Sequence, residues 1–266
     1  MVACIAARNE VKTVRAVLEQ AAGCPLLDEV LVLVNGSTDG TGEAARAAAC
    51  GGAWRPGLGL EVVEVTEPLG HDVGRAVTAR LALERNAGVL VFLDADFPVH
   101  GQDLTPFVLA VRDGVDVALN QLTPVLAGWA SEGPTASARI FLNACLGRPD
   151  LGVSSLLSVP HALSRRAVET IGPRNLAVPP LAQTLAVLAG LEVRAVHTVN
   201  VVVPNRPGPD RPRSLDPRSM CELILGDHVE ALVALAGRRG PRAGLGDFGR
   251  WREAAGFTYA ARPERD

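Results

Sequence analysis

Residues 89–97, VLVFLDADF, give the strongest indication of the fold. Five apolar residues come first, and Asp94-Ala95-Asp96 follows them at once. A continuous apolar run of this length predicts a strand that is covered on both faces, as in a parallel sheet. Because open parallel sheets bind ligands outside the carboxyl ends of their strands, the two aspartates should lie at a ligand site.

Similar apolar runs precede and follow this stretch, with helical patterns between them. The predicted strands are residues 1–6, 30–34, 60–65, 89–93 and 115–119. The predicted helices between them are residues 10–22, 41–49, 72–86 and 104–112. Strands that alternate with helices of this length indicate right-handed crossovers. The sequence therefore predicts an α/β fold, a mostly parallel sheet with helices on both faces.

The second half of the chain is less regular. Three further helices are predicted at residues 134–146, 163–171 and 181–188, and a last strand at 192–203. Residues 205–217 are rich in proline and arginine, which predicts a mobile loop. Asp216-Pro217 then forms the cap and first turn of a helix to about residue 236, followed by a poorly ordered tail. We expect a single domain with a C-terminal helical extension.

Composition excludes several classes of function. The 266 residues include 26 Lys and Arg against 29 Asp and Glu, a net charge of −3. Because no basic excess is present to follow a nucleic-acid backbone, we expect no nucleic-acid partner. Lys12 is the only lysine, so a Schiff-base mechanism would have to use it. Contacts to phosphate must then come from arginine or from backbone N–H groups.

Cysteine usage and hydropathy bear on the compartment. The five cysteines are scattered and form no CxxC pair, which argues against a disulfide framework or a zinc knuckle. No run approaches ~20 apolar residues, so no membrane span is expected. The N-terminus enters a strand at once, and no signal peptide is visible. These features predict a cytoplasmic protein.

Polar clusters follow the first four predicted strands. They are Arg8-Asn9-Glu10, residues 35–40 (NGSTDG), residues 70–75 (GHDVGR) and the pair Asp94 and Asp96. NGSTDG is also typical of a turn that caps the next helix. GHDVGR has neither the GxGxxG spacing nor the Walker lysine, so it is neither a dinucleotide fingerprint nor a P-loop. A dehydrogenase is therefore disfavoured.

Asp94-Ala95-Asp96 is the most informative cluster. The period of two in an extended segment sends both carboxylates to the same side, where they repel each other unless a cation lies close. A hard divalent ion such as Mg²⁺ or Mn²⁺, completed by phosphate oxygens and water, meets that need. The alternative is that Asp94 caps the following helix and Asp96 is merely solvated.

Four motifs occur in one order: IAARNEVKTVRAVLEQ, DEVLVLVNGSTDGT, LGHDVGRA and GVLVFLDADF. Together they resemble the nucleotide-sugar-binding half of a family 2-type glycosyltransferase of the GT-A fold, and they cover about the first 115 residues. A weaker likeness, to glucosyl-3-phosphoglycerate synthase, rests on ARNE, GST and the loop Asn205-Arg206-Pro207 before a long helix. The likeness divides the chain into a donor half (1–115), an acceptor-side half of the same domain (116–204) and an extension (205–266).

The resemblance assigns roles on the nucleotide side of the site. Arg8 and Glu10 would line the pocket for the base and ribose. Ser37 would lie beside the base, and Asn35 stands where many relatives have an aspartate. Arg75 would replace a basic residue near the nucleotide or the sugar.

The resemblance also assigns the metal ligands. Asp96 would be the more direct ligand of Mg²⁺ or Mn²⁺, with Asp94 nearer the ribose or the donor sugar. Retaining relatives place a metal-binding histidine near position 203, which is valine here. His197 is the candidate third ligand, with His228 as a lesser one, although a histidine in an apolar strand is often a core residue.

The general base is not identified. Inverting relatives carry an acidic pair where this chain has Val178-Pro179-Pro180, and Gln183 is the nearest polar side chain. This absence is compatible with a retaining enzyme, in which the donor phosphate assists, and equally with a protein that has lost activity.

The acceptor side carries several open assignments. His161, Arg165 and Arg166 are candidate acceptor contacts or structural residues. Arg206, Arg211 and Arg213 would close over a diphosphate or belong to a plain basic linker.

Two hypotheses of function follow. The first is a metal-dependent hexosyltransferase that uses a nucleotide-diphosphate sugar, with UDP-sugars the commonest donors among the relatives. Its acceptor would be a small molecule or glycan, and the weaker likeness points to a small phosphorylated acid. The alternative is a non-catalytic nucleotide-sugar-binding or scaffolding module. The 216–236 helix is a candidate surface for a homodimer.

Overall fold

A seven-stranded sheet organises the chain. The computed structural model describes residues 1–126, 133–201 and 216–251. The strands are β1 (Val2–Ala7), β2 (Glu29–Asn35), β3 (Gly59–Val65), β4 (Val89–Asp94), β5 (Val117–Asn120), β6 (His161–Ser164) and β7 (Val193–His197). Their order across the sheet is β3-β2-β1-β4-β6-β5-β7. All neighbours are parallel except β6, which runs antiparallel to β4 and β5.

Helices follow most strands, as the pattern predicts. They are α1 (Val14–Ala22), α2 (Thr41–Ala48), α3 (Val73–Glu84), α4 (Gly101–Arg112), α5 (Thr123–Leu126), α6 (Pro134–Cys145), α7 (Arg165–Ile171), α8 (Pro179–Leu188) and α9 (Pro217–Arg239). Short 3₁₀ helices lie at Pro149–Leu151 and Pro173–Ala177. The first helix begins later than predicted, because the backbone from Glu10 forms a turn in which Thr13 N–H donates to the Glu10 carbonyl at 3.0 Å.

Both faces of the sheet are covered, as the apolar runs predict. In β4, Val89, Val91 and Leu93 pack into one apolar layer, while Leu90 and Phe92 pack into the opposite one. Residues of α1, α2 and α4 complete the first layer, and residues of α3, α7 and α8 complete the second. The α/β prediction with helices on both faces is confirmed.

The sixth strand corrects a sequence prediction. Residues 163–171 were expected as one helix, but β6 takes residues 161–164 and only then does α7 begin. Ser164 caps α7, with its Oγ accepting from Ala167 N at 3.0 Å. The strand forms because Ala162 and Leu163, both fully buried, are paired between β4 and β5. A strand of four residues that forms through pairing with distant strands has no recognisable local sequence pattern.

The last strand is shorter than predicted. β7 ends at His197. Beyond it, the backbone forms hydrogen bonds with a side chain instead of with a neighbouring strand. The Asn120 amide accepts from Val199 N at 3.0 Å and donates to Val199 O at 3.0 Å. The predicted loop at 205–217 lies almost wholly outside the described residues.

The C-terminal helix is confirmed and runs to Arg239. The Asp216 carboxylate caps it, accepting from Arg218 N at 3.0 Å and Ser219 N at 3.1 Å. Leu142 of α6 and Leu235 of α9 belong to one buried cluster, which attaches the extension to the domain. Within the described ranges, no helix is long and apolar enough to cross a membrane.

Asp116 ties three strands together at the edge opposite Asp94. Its carboxylate accepts from Ser164 Oγ at 2.9 Å and from Glu192 N at 3.0 Å, and it also pairs with Arg166. Burial raises the pKa of the Asp116 carboxyl, but the hydrogen bonds from Arg166, Glu192 and Ser164 outweigh burial and hold that pKa below its usual range.

Asp116→Asn should lower the free energy of unfolding by about 1–3 kcal/mol at pH 7, because the amide keeps only one of the two acceptor oxygens and loses the charge that pairs with Arg166. The unfolded chain takes up the proton first, so the wild-type advantage is full above about pH 5 and shrinks as pH falls through the lowered pKa. Urea unfolding at pH 7 and pH 3 measures both effects. The exposed Asp113→Asn is the matched control, and equal stability of the Asp116 and Asp113 variants would contradict this assignment.

Candidate functional site

The site lies where β1 and β4 are neighbours. From this pair the strand order proceeds outward in opposite directions, which is the switch point at which open α/β sheets bind ligands. Asp94, the last residue of β4, is in register with Ala6. Helix α3 begins beside them because residue 74 is a glycine. A Cβ at this position would lie 2.7 Å from the Ala6 Cβ, which is too close. This close approach brings Arg75 to the carboxyl edge of the sheet.

Arg75 contacts three separate parts of the chain there. Its Nη2 donates to Asp94 Oδ1 at 3.2 Å, and its Nη1 donates to the Leu156 carbonyl at 3.1 Å. Asp72 Oδ1 lies 3.2 Å from the same Nη1. Burial lowers the pKa of Arg75, but the charges of Asp72, Asp94 and Asp96 outweigh burial and raise it. The guanidinium is therefore a fixed cation among three carboxylates.

The two aspartates after β4 lie on this edge as predicted. Both act electrostatically on Arg75, and the Asp94 side chain is 35% exposed. The alternative that Asp94 caps the next helix is wrong, because α4 begins at Gly101 with His100 as its N-cap. Within the described residues, no three His, Cys, Asp or Glu side chains are grouped to hold a metal. A cation here would use these two carboxylates with oxygens of the ligand and of water.

The loops after β1 and β2 are joined by hydrogen bonds. Asn9, in the left-handed region with φ +56°, donates its N–H to Ser37 Oγ at 3.0 Å and accepts from Thr38 N at 2.9 Å. Glu10 N donates to Thr41 Oγ1 at 2.8 Å. The structure thus brings Glu10 and Ser37 to one edge, as predicted.

The remaining residues of this edge hold it in shape. Arg8 is exposed beside Asn9, and the Glu10 carboxylate accepts from Thr13 Oγ1 at 2.8 Å. Asp39 accepts from Val11 N at 3.1 Å and from Thr41 N at 3.1 Å, so the turn-and-cap interpretation of NGSTDG also holds. Burial raises the pKa of Asp39, but hydrogen bonds from Thr41 and Val11 outweigh burial and lower it.

Asn35 is buried and fixes the loop after β3. Its Oδ1 accepts from Leu69 N at 2.7 Å, and its Nδ2 donates to the Gly70 carbonyl at 3.3 Å. Gly36 beside it has φ +61°, and a Cβ there would lie 2.7 Å from Pro68 N. Asn35 therefore shapes the wall of the site through its backbone partners. That role requires both a donor and an acceptor, which an amide supplies and an ionised carboxylate does not.

His161 lies beneath the site as a buried neutral imidazole. It is 1% exposed, stacks on Phe92 at 5.1 Å between ring centroids, and donates from Nδ1 to the Ser158 carbonyl at 3.0 Å. Burial, and then the charge of Arg75, lower the pKa of His161 to about 3. Of the two open interpretations, the contacts favour the structural one.

Arg139 is the residue that the sequence interpretation missed. Its Nη1 donates to Ser158 Oγ at 2.9 Å. Burial, and then the charge of Arg75, lower the pKa of Arg139 to about 10. The sequence of α6 contains an indication of this position. Arg139 lies three and four residues before Leu142 and Asn143, which are buried, so it shares their face of the helix.

Three candidates of the second half, His197, Arg165 and Arg166, lie away from the carboxyl end of β4. β7 is the third strand beyond β4, and His197 there is 3.5 Å from Asp103 Oδ1 and edge-on to Phe107 at 5.9 Å. The structure does not bring His197 into a group with Asp94 and Asp96. Arg165 and Arg166 lie near the start of β4, because β6 is antiparallel. Arg206, Arg211 and Arg213 lie outside the described residues.

Helix α9 brings one more carboxyl towards the site. Burial raises the pKa of Asp227 to about 6, with further contributions from the charges of Asp72 and Glu230. Its neighbour His228 is buried, and its Nδ1 donates to the Ile224 carbonyl at 2.6 Å. The charge of Asp72, a partner of Arg75, therefore acts on a carboxyl of the C-terminal helix.

Comparison with known proteins identifies the class. The model of the family described as Glycosyl transferase family 2 matches residues 2–169, more than half of the chain. The chain belongs to this family, and its mixed sheet with flanking helices is a GT-A-like fold. A sequence comparison with curated proteins gives no match.

Solved structures share the fold at low sequence identity. One is a mycobacterial protein, 20% identical, with a TM-score of 0.56 over 93% of this chain and 76% of that one. Another is the mannosyltransferase PcManGT from Pyrobaculum calidifontis with GDP-Man and Mn²⁺, 19% identical, TM-score 0.51, over 91% and 76%. A third is S. aureus TarS 1–349 with UDP-GlcNAc, 16% identical, TM-score 0.56, over 91% and 68%.

Asn35→Asp should lower the free energy of unfolding at pH 7 by about 1–3 kcal/mol, because a carboxylate would face the Gly70 carbonyl without a proton to donate. At pH 4 the difference should narrow as the new carboxyl takes up a proton. Urea unfolding at both pH values measures this. A variant as stable as the wild type at pH 7 would show that the Gly70 contact contributes nothing.

Proposed function

We propose that the chain is a glycosyltransferase that takes a sugar from a nucleotide-diphosphate donor bound across the carboxyl edge of β1, β2 and β4. The observation that carries this proposal is the pair of aspartates after β4, held beside Arg75 at the switch point of the sheet. Family membership supports the same class, as do the nucleotide sugars in two structures of the same fold.

The donor set at Asp94 and Asp96 fits Mg²⁺ or Mn²⁺. Both are hard cations that accept one or two carboxylates and take their other ligands from substrate phosphate and water. Two partly buried carboxylates with no third protein ligand grouped beside them in the described residues match that demand. Such a cation, when bound, neutralises charge on the departing diphosphate. His197 has no part in this proposal, because its contacts are with α4.

The protein's own residues would orient the donor. Arg75 fixes Asp94, so that the carboxylate is already positioned when the ligand arrives, which lowers the reorganisation that the reaction requires. Glu10, Arg8 and Ser37 would contact the base and ribose, since they lie on the joined loops after β1 and β2. A UDP-sugar with a hexosyl group is the proposed donor.

The acceptor side is built from α6, the 152–158 segment and α9. A small phosphorylated acid is the proposed acceptor, with a glycan as the other choice. At the start of α8, where inverting relatives place a carboxylate, the chain has valine and prolines. Gln183 does not substitute, because it is buried and bonded to Leu156 N at 3.0 Å and Asn143 Oδ1 at 2.7 Å. We therefore propose retention, in which a donor phosphate oxygen receives the acceptor proton.

The missing carboxylate also favours a second candidate. A nucleotide-sugar-binding module without catalysis would keep the carboxyl edge and need no group to accept a proton. The two candidates agree on donor binding and differ in transfer, so a binding measurement tests what they share.

UDP, GDP and dTDP should be titrated into the protein by calorimetry, each with Mn²⁺ and with EDTA. One nucleotide should bind with Mn²⁺ and at least about tenfold more weakly with EDTA, because two carboxylates and a diphosphate repel one another without the cation. In the presence of Mn²⁺, the affinity of Asp96→Asn for the same nucleotide should be lower than that of the wild type by a similar factor.

Asp113→Asn, an exposed aspartate outside the site, is the matched control and should bind as the wild type does. If none of the three nucleotides binds the wild type in either condition, the donor site does not exist as proposed. Release of free sugar or transfer to a phosphorylated acid, followed with the nucleotide sugar that binds, then separates the enzyme from the binding module.

A further inference from the structure

We propose that Arg139 is a second anion-binding residue of the site, one that takes a phosphate group through the edge of its guanidinium that carries Nε. The inference rests on the proposed function for the identity of the ligand, but its geometry is independent of Asp94 and Asp96. The phosphate would come from the donor diphosphate or from a phosphorylated acceptor.

The position of Arg139 is fixed by the segment that also holds Arg75. Arg75 donates to the Leu156 carbonyl at 3.1 Å, and Arg139 donates to Ser158 Oγ at 2.9 Å. His161 anchors the same segment through the Ser158 carbonyl. Two guanidinium groups from different helices therefore approach one short stretch of chain at the carboxyl edge.

Within the part of the chain that the structure describes, Arg139 has no carboxylate partner. Arg75 has Asp72 and Asp94 within 3.2 Å, whereas no carboxylate of the described residues pairs with Arg139. Its Nε is buried and has no hydrogen-bond partner there. A partly buried cation with a buried, unsatisfied N–H group is unfavourable unless an anion joins it. Because burial and Arg75 lower the pKa of Arg139 only to about 10, it remains charged at neutral pH.

The chemistry of the unsatisfied Nε–H group selects the ligand. A guanidinium presents donors in a planar fork that matches two oxygens of phosphate, whereas the ammonium of lysine acts as a point charge. With Nη1 held by Ser158, the fork cannot turn freely, so Nε is presented in a fixed direction. The neighbouring Arg75 adds attraction for an anion and repels a second cation. A doubly charged phosphate group suits this pair better than a neutral hydroxyl.

The test uses Arg139→Gln and Arg139→Lys. Arg80→Gln is the control, because Arg80 is exposed on α3 and pairs with Glu84 of the same helix at 2.8 Å. UDP and uridine are titrated with Mn²⁺, and inorganic phosphate is titrated into protein saturated with UDP and Mn²⁺, at matched ionic strength. Thermal unfolding is measured with and without phosphate.

Arg139→Gln should lose about tenfold or more in affinity for one phosphate ligand, with uridine unaffected and Arg80→Gln unchanged. Loss for UDP assigns Arg139 to the donor diphosphate, and loss confined to added phosphate assigns it to the acceptor. Without anion, the melting temperature of Arg139→Gln should equal or exceed that of the wild type, since an uncompensated buried charge is removed. Arg139→Lys should bind more weakly than the wild type, because it lacks the fork.

Equal phosphate and UDP affinities in Arg139→Gln and the wild type would overturn the inference. If Arg139→Gln fails to fold, or melts lower while phosphate leaves the wild-type melting temperature unchanged, Arg139 is structural and the inference also fails. A wild type that binds UDP through Asp96 while Arg139→Gln is unaffected refutes this inference alone. If the wild type binds no nucleotide, the donor site is refuted. The melting temperatures with and without phosphate then still test whether Arg139 binds an anion.

Discussion

The contact on which the site depends is that of the buried Arg75 guanidinium with Asp94, Asp72 and the Leu156 carbonyl. It joins the end of a central strand, the start of a helix and a segment of the less regular half. Three carboxylates interact with this one cation. The positive charge of Arg75 allows these negative charges to lie close together at the carboxyl edge of the sheet. Without Arg75, Asp72 and Asp94 would be left partly buried and mutually repelling.

The sheet prepares this contact. Because strands β1, β2 and β4 are covered on both faces, their polar residues are confined to the positions where the strands end. The absence of a side chain at Gly74 lets α3 begin against β1, and the loops after β1 and β2 are fixed by Asn9. Local rules of burial and backbone geometry therefore place the groups that a nucleotide sugar would meet.

The first 115 residues were predictable for the same reason. VLVFL followed at once by two aspartates, and VLVLV followed by NGSTDG, carry their structure in contiguous residues. The second half was less predictable, because its structure depends on distant partners. β6 exists only through its pairing with β4 and β5, and Arg139 becomes part of the site only when α6 packs beside the 152–158 segment. His197 was a candidate metal ligand because of its position in the sequence, but the strand order of the sheet separates it from β4.

In the proposed donor site, Asp94 and Asp96 hold a divalent cation together with the diphosphate of a nucleotide. The most direct measurement is a crystal structure of the protein with UDP and Mn²⁺, with anomalous data to locate the manganese. We expect an anomalous peak within coordination distance, about 2 Å, of carboxylate oxygens of this pair and of diphosphate oxygens. Manganese bound elsewhere, or a nucleotide bound away from the carboxyl edge of β1 and β4, would contradict it.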